Sequence, residues 1–189
     1  MRLSLSVLAS FAVASMLCAS PREAQAVERQ HHIGLDPSLA MLKVDDKSTV
    51  SVGAGLGLHY TYGINDQFNL MVEANVARVA ANQQQDDATT PHTRPADVAH
   101  ATAGVGYVLD VLQFVPYFGL LVGGYRLSGG TLDSALVLPG AELAVGLDYQ
   151  LSRHWAIGLA GRQHLLFTKA STYPSYTTVM LRLEYMWGY

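Results

Sequence analysis

The sequence predicts an all-β protein, an eight-stranded antiparallel up-and-down β-barrel that spans a membrane. Three observations predict it. Apolar residues recur at every second position in most segments after residue 50, which is the period of β-strands. The connectors between these segments alternate between short and long, and the aromatic residues gather near the short connectors. With 50% apolar and 14% charged residues, the chain also has the composition of a folded protein.

The first 26 residues have the pattern of a cleavable export signal. Arg2 precedes an apolar run at positions 3–19, and positions 24–26 read Ala-Gln-Ala, the small-x-small site that signal peptidase recognises. The apolar run is shorter than the about 20 residues that a spanning helix needs. We therefore expect residues 1–26 to be a signal peptide and residues 27–189 to be a barrel in the cell outer membrane.

Charge and cysteine content exclude several classes of protein. The net charge of −3 offers no clustered basic face, so no nucleic-acid partner is expected. The single cysteine, Cys18, lies within the predicted signal peptide, which excludes a zinc ribbon, a CxxC redox centre and a cysteine nucleophile from the folded part. The bulky Leu17 before it argues against a lipoprotein acylation site.

Six segments alternate regularly between apolar residues and small or polar ones. They lie at positions 52–62, 68–77, 99–109, 141–151, 155–164 and 177–189. In the first of them, six apolar residues on one face oppose Ser51, Gly53, Gly55, Gly57, His59 and Thr61 on the other. A soluble sheet would place lysine, glutamate and threonine on its polar face. Glycines at these positions instead suit the lining of a narrow tube, where they leave room for larger side chains opposite.

Two further segments are predicted as strands with less regular patterns. Positions 33–42 alternate loosely and contain Pro37, which cannot donate to a ladder and suits a strand start or a bulge. Positions 114–127 are apolar on both faces, so their inward and outward residues cannot be assigned. With these two segments the strand count is eight, and an eight-stranded barrel has an interior just wide enough to be filled by side chains.

The connectors favour an up-and-down meander with both termini at one end. Connectors at 63–67, 110–113 and 152–154 are short, whereas those at 43–49, 80–97, 128–135 and 167–175 are mostly longer and polar. The connector at 80–97 is almost free of apolar residues after Ala81, and we expect it to be a solvated loop. Lys43, Lys47 and Lys169 all lie in connectors.

Aromatic residues near the short connectors distinguish a membrane barrel from a soluble sandwich. A core cluster would have no reason to gather at one end, whereas a girdle at a membrane interface would. The predicted girdle comprises Tyr60, Tyr62, Phe68, Tyr107, Phe114, Tyr149, Trp155, Tyr185, Trp187 and Tyr189. The outer-membrane lipid is the partner that this pattern predicts.

The export signal, the eight alternating strands and the aromatic end of the last strand resemble the OmpA/OmpX/OmpW-type small outer-membrane β-barrel proteins. In that family the last strand is the recognition signal for the barrel assembly machinery, which the resemblance implies as a partner during biogenesis. The matching residues here are Leu181, Leu183, Tyr185, Trp187 and Tyr189. The final residue is tyrosine, where phenylalanine is more usual in the family.

Charged residues at inward positions predict a polar network inside the tube. Its members are Glu73, Glu142, Asp148, Arg162, His164, Arg182 and Glu184, with Arg126 as a further candidate. If residues 152–154 form the turn, Glu142 lies opposite His164 and diagonal to Arg162. Buried charges must be paired, so we interpret the network as a plug and expect a structural or surface-interaction role. The alternative is a narrow channel or carrier for small solutes.

No catalytic, cofactor or metal site is predicted from the sequence. Some barrels of this size modify lipid A, and their deacylases use a His-x-Ser pair, but His164 is followed by two leucines. Ser171 and Ser175 lie in or beside a connector, and His92 is a single histidine in the 80–97 connector. The adjacent pair at positions 31–32 would point to opposite faces of a strand, which argues against a shared metal.

Overall fold

The computed structural model describes residues 29–44, 50–80, 94–109 and 113–188. They form one closed barrel of eight antiparallel strands, in which each strand pairs with its sequence neighbours and β1 closes on β8. The strands are β1 His31–Lys43, β2 Ser51–Gly63, β3 Phe68–Val79, β4 Asp97–Val108, β5 Phe114–Ser128, β6 Leu136–Gln150, β7 Trp155–Leu166 and β8 Ser175–Trp187. Within these residues, no helix is long and apolar enough to cross a bilayer. The predicted fold class is confirmed.

The register agrees with the alternation in the sequence. Glu142 pairs with His164, as the position of the turn at residues 152–154 predicts. Where the barrel closes, His31 pairs with both Tyr62 and Trp187, so the start of β1 and the end of β8 both lie at the short-connector end. The predicted signal peptide, the 81–93 part of the long connector and Tyr189 lie outside the described residues.

Local side-chain bonds close two of the short connectors. In the β2–β3 connector, the Asn65 Oδ1 accepts from the backbone N–H of Gln67 at 2.9 Å and of Phe68 at 2.8 Å. In the β6–β7 connector, the Ser152 Oγ accepts from the N–H groups of His154 and Trp155 at 3.2 and 3.1 Å. Asparagine and serine are suited to such turns because their side chains reach backbone donors two or three residues on.

The structure corrects three details of the sequence interpretation. Pro37 neither starts β1 nor forms a bulge: it lies mid-strand, and the β1–β8 ladder resumes in the same register from Leu35–Leu183 to Ser38–Met180. The ladder is interrupted at Pro37 because an imino acid has no N–H to donate. The register is the same on both sides of the interruption. Lys43 is the last residue of β1 and not part of a connector. Arg126 faces outward on β5 and is not luminal.

The outer surface is an apolar band between two polar or amphipathic rims. Exposed aliphatic side chains cover all eight strands, and Leu120, Val122 and Val137 are among the most exposed. On β3, Phe68 at one rim and Arg78 at the other are ten residues apart. That separation is about 34 Å along the strand. At the usual strand tilt it corresponds to a height of about 25 Å along the barrel axis, which matches the apolar band of outer-membrane barrels.

The interior is filled by two apolar clusters and the polar side chains beside them. The apolar cap, at the long-connector end, comprises Ala40, Leu42, Val44, Ala77, Val79, Val98, Tyr125, Leu127, Leu138, Leu166, Tyr173 and Tyr176. The apolar layer, in the middle and toward the short connectors, comprises Met71, Val108, Tyr117, Leu121, Ala144, Ala160 and Met180. Glycine makes room for polar neighbours, since a Cβ on Gly158 would collide with the Asp148 carboxylate.

Candidate functional site

All seven predicted network residues face the lumen and are buried, and the structure divides them between two clusters. The upper cluster, nearer the long connectors, consists of Glu73, His100, Glu142, Arg162 and His164. The lower cluster, nearer the short connectors, consists of His32, Asp36, His59, Asp148, Arg182 and Glu184.

Arg162 is the centre of the upper cluster. Its Nε lies 3.1 Å from Glu73 Oε2 and 3.0 Å from Glu142 Oε1, so one guanidinium bridges carboxylates from β3 and β6. The Thr102 hydroxyl on β4 donates to Glu142 Oε2 at 3.0 Å. The side chain of Arg162 is fully buried. A buried guanidinium is tolerated only where carboxylates compensate its charge, and here two do so.

Two histidines complete the upper cluster beneath the apolar cap. His164 Nδ1 lies 3.7 Å from Glu142 Oε2 and 3.1 Å from the Tyr125 hydroxyl, while its Nε2 lies 3.2 Å from Thr178 Oγ1. The His100 ring packs against His164, with 4.7 Å between ring centroids. His100 Nε2 lies 3.7 Å from a Glu73 oxygen, beyond hydrogen-bond range.

The lower cluster is a more tightly paired network. His59 Nδ1 lies 2.7 Å from Asp36 Oδ2, and its Nε2 lies 3.1 Å from Glu184 Oε1. The Arg182 guanidinium contacts Glu184 and donates to Asp148 Oδ2 at 3.2 Å. A further histidine, His32, lies 3.0 Å from the second Glu184 oxygen. Every charged member of this cluster thus has at least one partner of opposite charge.

Tyr117 joins the two clusters across the lumen. The Arg162 Nη1 donates to the Tyr117 hydroxyl at 3.2 Å, and Arg182 Cζ lies 4.7 Å from the Tyr117 ring centroid. This distance is within the range of a cation–π interaction. Below Tyr117, a cavity of about 30 Å³ is bordered by Asn69, Met71, Asp148, Arg182, Glu184 and Met186, among others. It has room for one or two water molecules.

Five residues of this site were not predicted as members of the network: His32, Asp36, His59 and His100 in the clusters, and Tyr117 between them. His59 and His100 stand at inward positions of regularly alternating strands, so the period of two could have placed them in the network. Asp36 and Tyr117 lie in the two segments whose pattern is obscured, by Pro37 in β1 and by apolar residues on both faces of β5. For these two, the sequence alone holds no sufficient signal.

The predicted girdle residues within the described part of the chain lie near the short connectors on the outer surface. Trp187 stacks on His31 with 5.3 Å between ring centroids, and Tyr185 meets Trp155 edge-on at 5.3 Å. Leu181 and Leu183 continue the same outward face of β8, with 57% and 45% of their surface exposed. His31 belongs to this girdle and had not been predicted as a member.

A hydroxyl, a histidine and a carboxylate do lie near one another, but they form no connected triad. Thr178 Oγ1 lies 3.2 Å from His164 Nε2, whereas Glu142 lies 3.7 Å from His164 Nδ1, beyond hydrogen-bond range. All three side chains are buried, so no lipid could reach the hydroxyl without a rearrangement. Ser175 faces the outer surface, opposite to the luminal His164. His92 lies outside the described residues.

Comparison with known proteins identifies the family. Residues 9–186 match the family model described as outer membrane protein beta-barrel domain. The chain belongs to this family. The family places the protein among outer-membrane barrels and agrees with the resemblance to the OmpA/OmpX/OmpW type. A comparison with curated protein sequences finds no match.

Solved structures of small outer-membrane barrels share the fold. Ail, the attachment invasion locus protein of Yersinia pestis, is 15% identical, with a TM-score of 0.56 over 85% of this chain and 99% of its own. Neisserial surface protein A is 16% identical, with a TM-score of 0.60 over 84% of this chain and 97% of its own. OprG from Pseudomonas aeruginosa is 15% identical, with a TM-score of 0.56 over 86% and 98%.

Proposed function

We propose that this protein is a non-conducting outer-membrane barrel with a structural or surface-interaction role, whose lumen is closed by its own side chains. The observation that carries the proposal is the position of Tyr117 between Arg162 and Arg182. Each arginine is paired with carboxylates on other strands, so the three side chains form a bridge across the tube.

The free-energy cost of opening the lumen supports a permanent plug. Moving Arg162 aside would leave Glu73 and Glu142 without their guanidinium partner. Removing one partner of a buried pair costs about 3–5 kcal/mol, a cost that water entering the lumen would reduce. The apolar cap adds a second barrier, because ions do not cross closely packed leucine and tyrosine side chains without dehydration.

The outer surface supports insertion by lipid contacts and an aromatic girdle. The apolar band would contact lipid, and the long connectors would lie on the cell surface, as in other barrels of this kind. The outward face of β8, which ends at Trp187, is the segment that we assign to recognition by the barrel assembly machinery. The export signal at 1–26 remains a prediction on which this location depends.

The alternative is a narrow channel or carrier for small solutes, and the small cavity at the short-connector end is the observation that favours it. That cavity ends at Arg182 and Glu184, which form an ion pair. A conducting path would have to continue from there past Tyr117 and through the apolar cap. We propose no enzymatic activity, because the Thr178–His164–Glu142 arrangement is buried.

Planar-bilayer conductance tests the proposal. The protein is purified from outer membranes in detergent and added to a bilayer, with a general porin under the same conditions as the positive control. We expect no stepwise conductance above that of the empty bilayer. Reproducible steps that scale with the amount of inserted protein would contradict the closed lumen and favour the channel.

A further inference from the structure

We propose that the upper cluster is a binding site for a divalent transition-metal ion, held by His100, Glu142 and His164. One ligand atom from each side chain lies within 4.8 Å of the others. Tetrahedral ligands of Zn²⁺ at 2.0–2.1 Å from the metal are about 3.3 Å apart, so the ligand atoms would have to close by up to about 1.5 Å to form the site. Glu73, beside His100, is the available fourth ligand.

His100 provides an independent indication of a ligand. Its side chain is completely buried, yet neither ring nitrogen has a hydrogen-bond partner in the described part of the chain. Buried polar groups are nearly always satisfied, and an orphaned imidazole requires an explanation. His59 in the lower cluster differs, because its Nδ1 is hydrogen-bonded to Asp36 Oδ2 at 2.7 Å.

Neighbouring side chains orient His164 and Glu142, two of the three proposed ligands. His164 Nε2 lies 3.2 Å from Thr178 Oγ1, which fixes the ring and leaves Nδ1 for the metal. Glu142 Oε1 lies against Arg162 and holds the guanidinium, so Oε2, which accepts from Thr102, is the oxygen that would bind the metal. Such outer contacts typically hold metal ligands in place. The Tyr125 hydroxyl, 3.1 Å from Nδ1, turns aside when the ion binds.

The charge of the upper cluster also favours a cation. Two buried carboxylates, Glu73 and Glu142, share one buried guanidinium, that of Arg162. One carboxylate charge is therefore left without a guanidinium of its own, and a cation among these residues would compensate it. Two imidazoles and a carboxylate favour Zn²⁺ or Fe²⁺ over Ca²⁺ or Mg²⁺.

Metal retention by the untagged barrel tests the proposal. The protein is purified from outer membranes, unfolded with a chelator, refolded into detergent with excess Zn²⁺ and passed through a desalting column. We expect the wild type to keep one tightly held Zn²⁺ per folded barrel. The double variant His100→Ala with His164→Ala should lose at least about tenfold in affinity. His59→Gln, a buried histidine of the lower cluster, and His154→Ala, an exposed one, are the matched controls and should retain the ion.

Two outcomes overturn the proposal. One is a wild-type barrel that keeps no Zn²⁺, which would leave protons as the source of the missing positive charge. The other is equal retention by the wild type and the double variant. Should the double variant fail to fold, X-ray absorption of the Zn²⁺-loaded wild type decides. Two imidazoles in the coordination shell support the site, and fewer than two contradict it.

Discussion

At the residue scale, a small number of luminal side chains determine whether the barrel is a plug or a pore. Their type and inward position follow from the sequence, because a period of two assigns a face to every residue of a regular strand. The interaction partners of these side chains cannot be predicted from the sequence in the same way. Alternation and turn position place Glu142 opposite His164, but they cannot show that Arg162 reaches across the tube to Glu73 on β3. That contact depends on closure of the barrel.

The contribution of Arg162 can be measured by unfolding. Arg162→Ala leaves Glu73 and Glu142 without a guanidinium and should destabilise the barrel by up to about 3–5 kcal/mol. Adding Glu142→Ala removes one of the two stranded carboxylates, so the double variant should unfold at a higher urea concentration than the single one. Tryptophan fluorescence during urea titration gives both midpoints.

Arg126→Ala is the matched control for Arg162→Ala, because Arg126 is an arginine on the outer face of β5. It should change the midpoint little, as surface substitutions usually do. Equal midpoints for the single and double Arg162 variants would show that Arg162 does not depend on Glu142, and the upper cluster would then need a different account.

At the element scale, all eight strands were predicted, but their inward and outward faces could be assigned only where the two faces differ in polarity. On β5 the inward residues Tyr117, Leu121, Tyr125 and Leu127 belong to the apolar cap and the apolar layer. Both faces of that strand are therefore apolar, and periodicity holds no information about orientation. In β1, Pro37 obscured a strand whose register is regular on both sides.

The last strand should matter more for assembly than an equal length of connector. Trp187 ends β8 in the aromatic girdle and packs on His31, across the seam at which the barrel closes. Deleting residues 187–189 should therefore lower the amount of folded barrel far more than deleting residues 83–85 of the long connector. The folded fraction is measured on gels as the band that migrates faster without heating. Equal folded fractions would refute a special role for the end of β8.

At the scale of the whole molecule, we propose that side chains close the lumen along its length. The apolar cap, the upper cluster, the apolar layer and the lower cluster follow one another between the long and short connectors. The composition of the strands predicted the barrel and its membrane-facing surface. The order of these layers could not be predicted, because it arises from side chains on strands that are distant in sequence.

Thiol accessibility tests that claim most directly. The one cysteine of the chain, Cys18, lies within the predicted signal peptide, so single cysteines can be introduced into the mature barrel without a competing thiol. Ala160→Cys places a thiol in the apolar layer. Ser134→Cys and Asp66→Cys place exposed thiols in a long and a short connector, respectively. With a charged, water-soluble thiol reagent, both connector cysteines should react promptly. The luminal cysteine at position 160 should react only after unfolding. Reaction of Ala160→Cys in the folded barrel at the rate of the connector cysteines would show that solutes reach the middle of the lumen and would contradict its closure along the whole length.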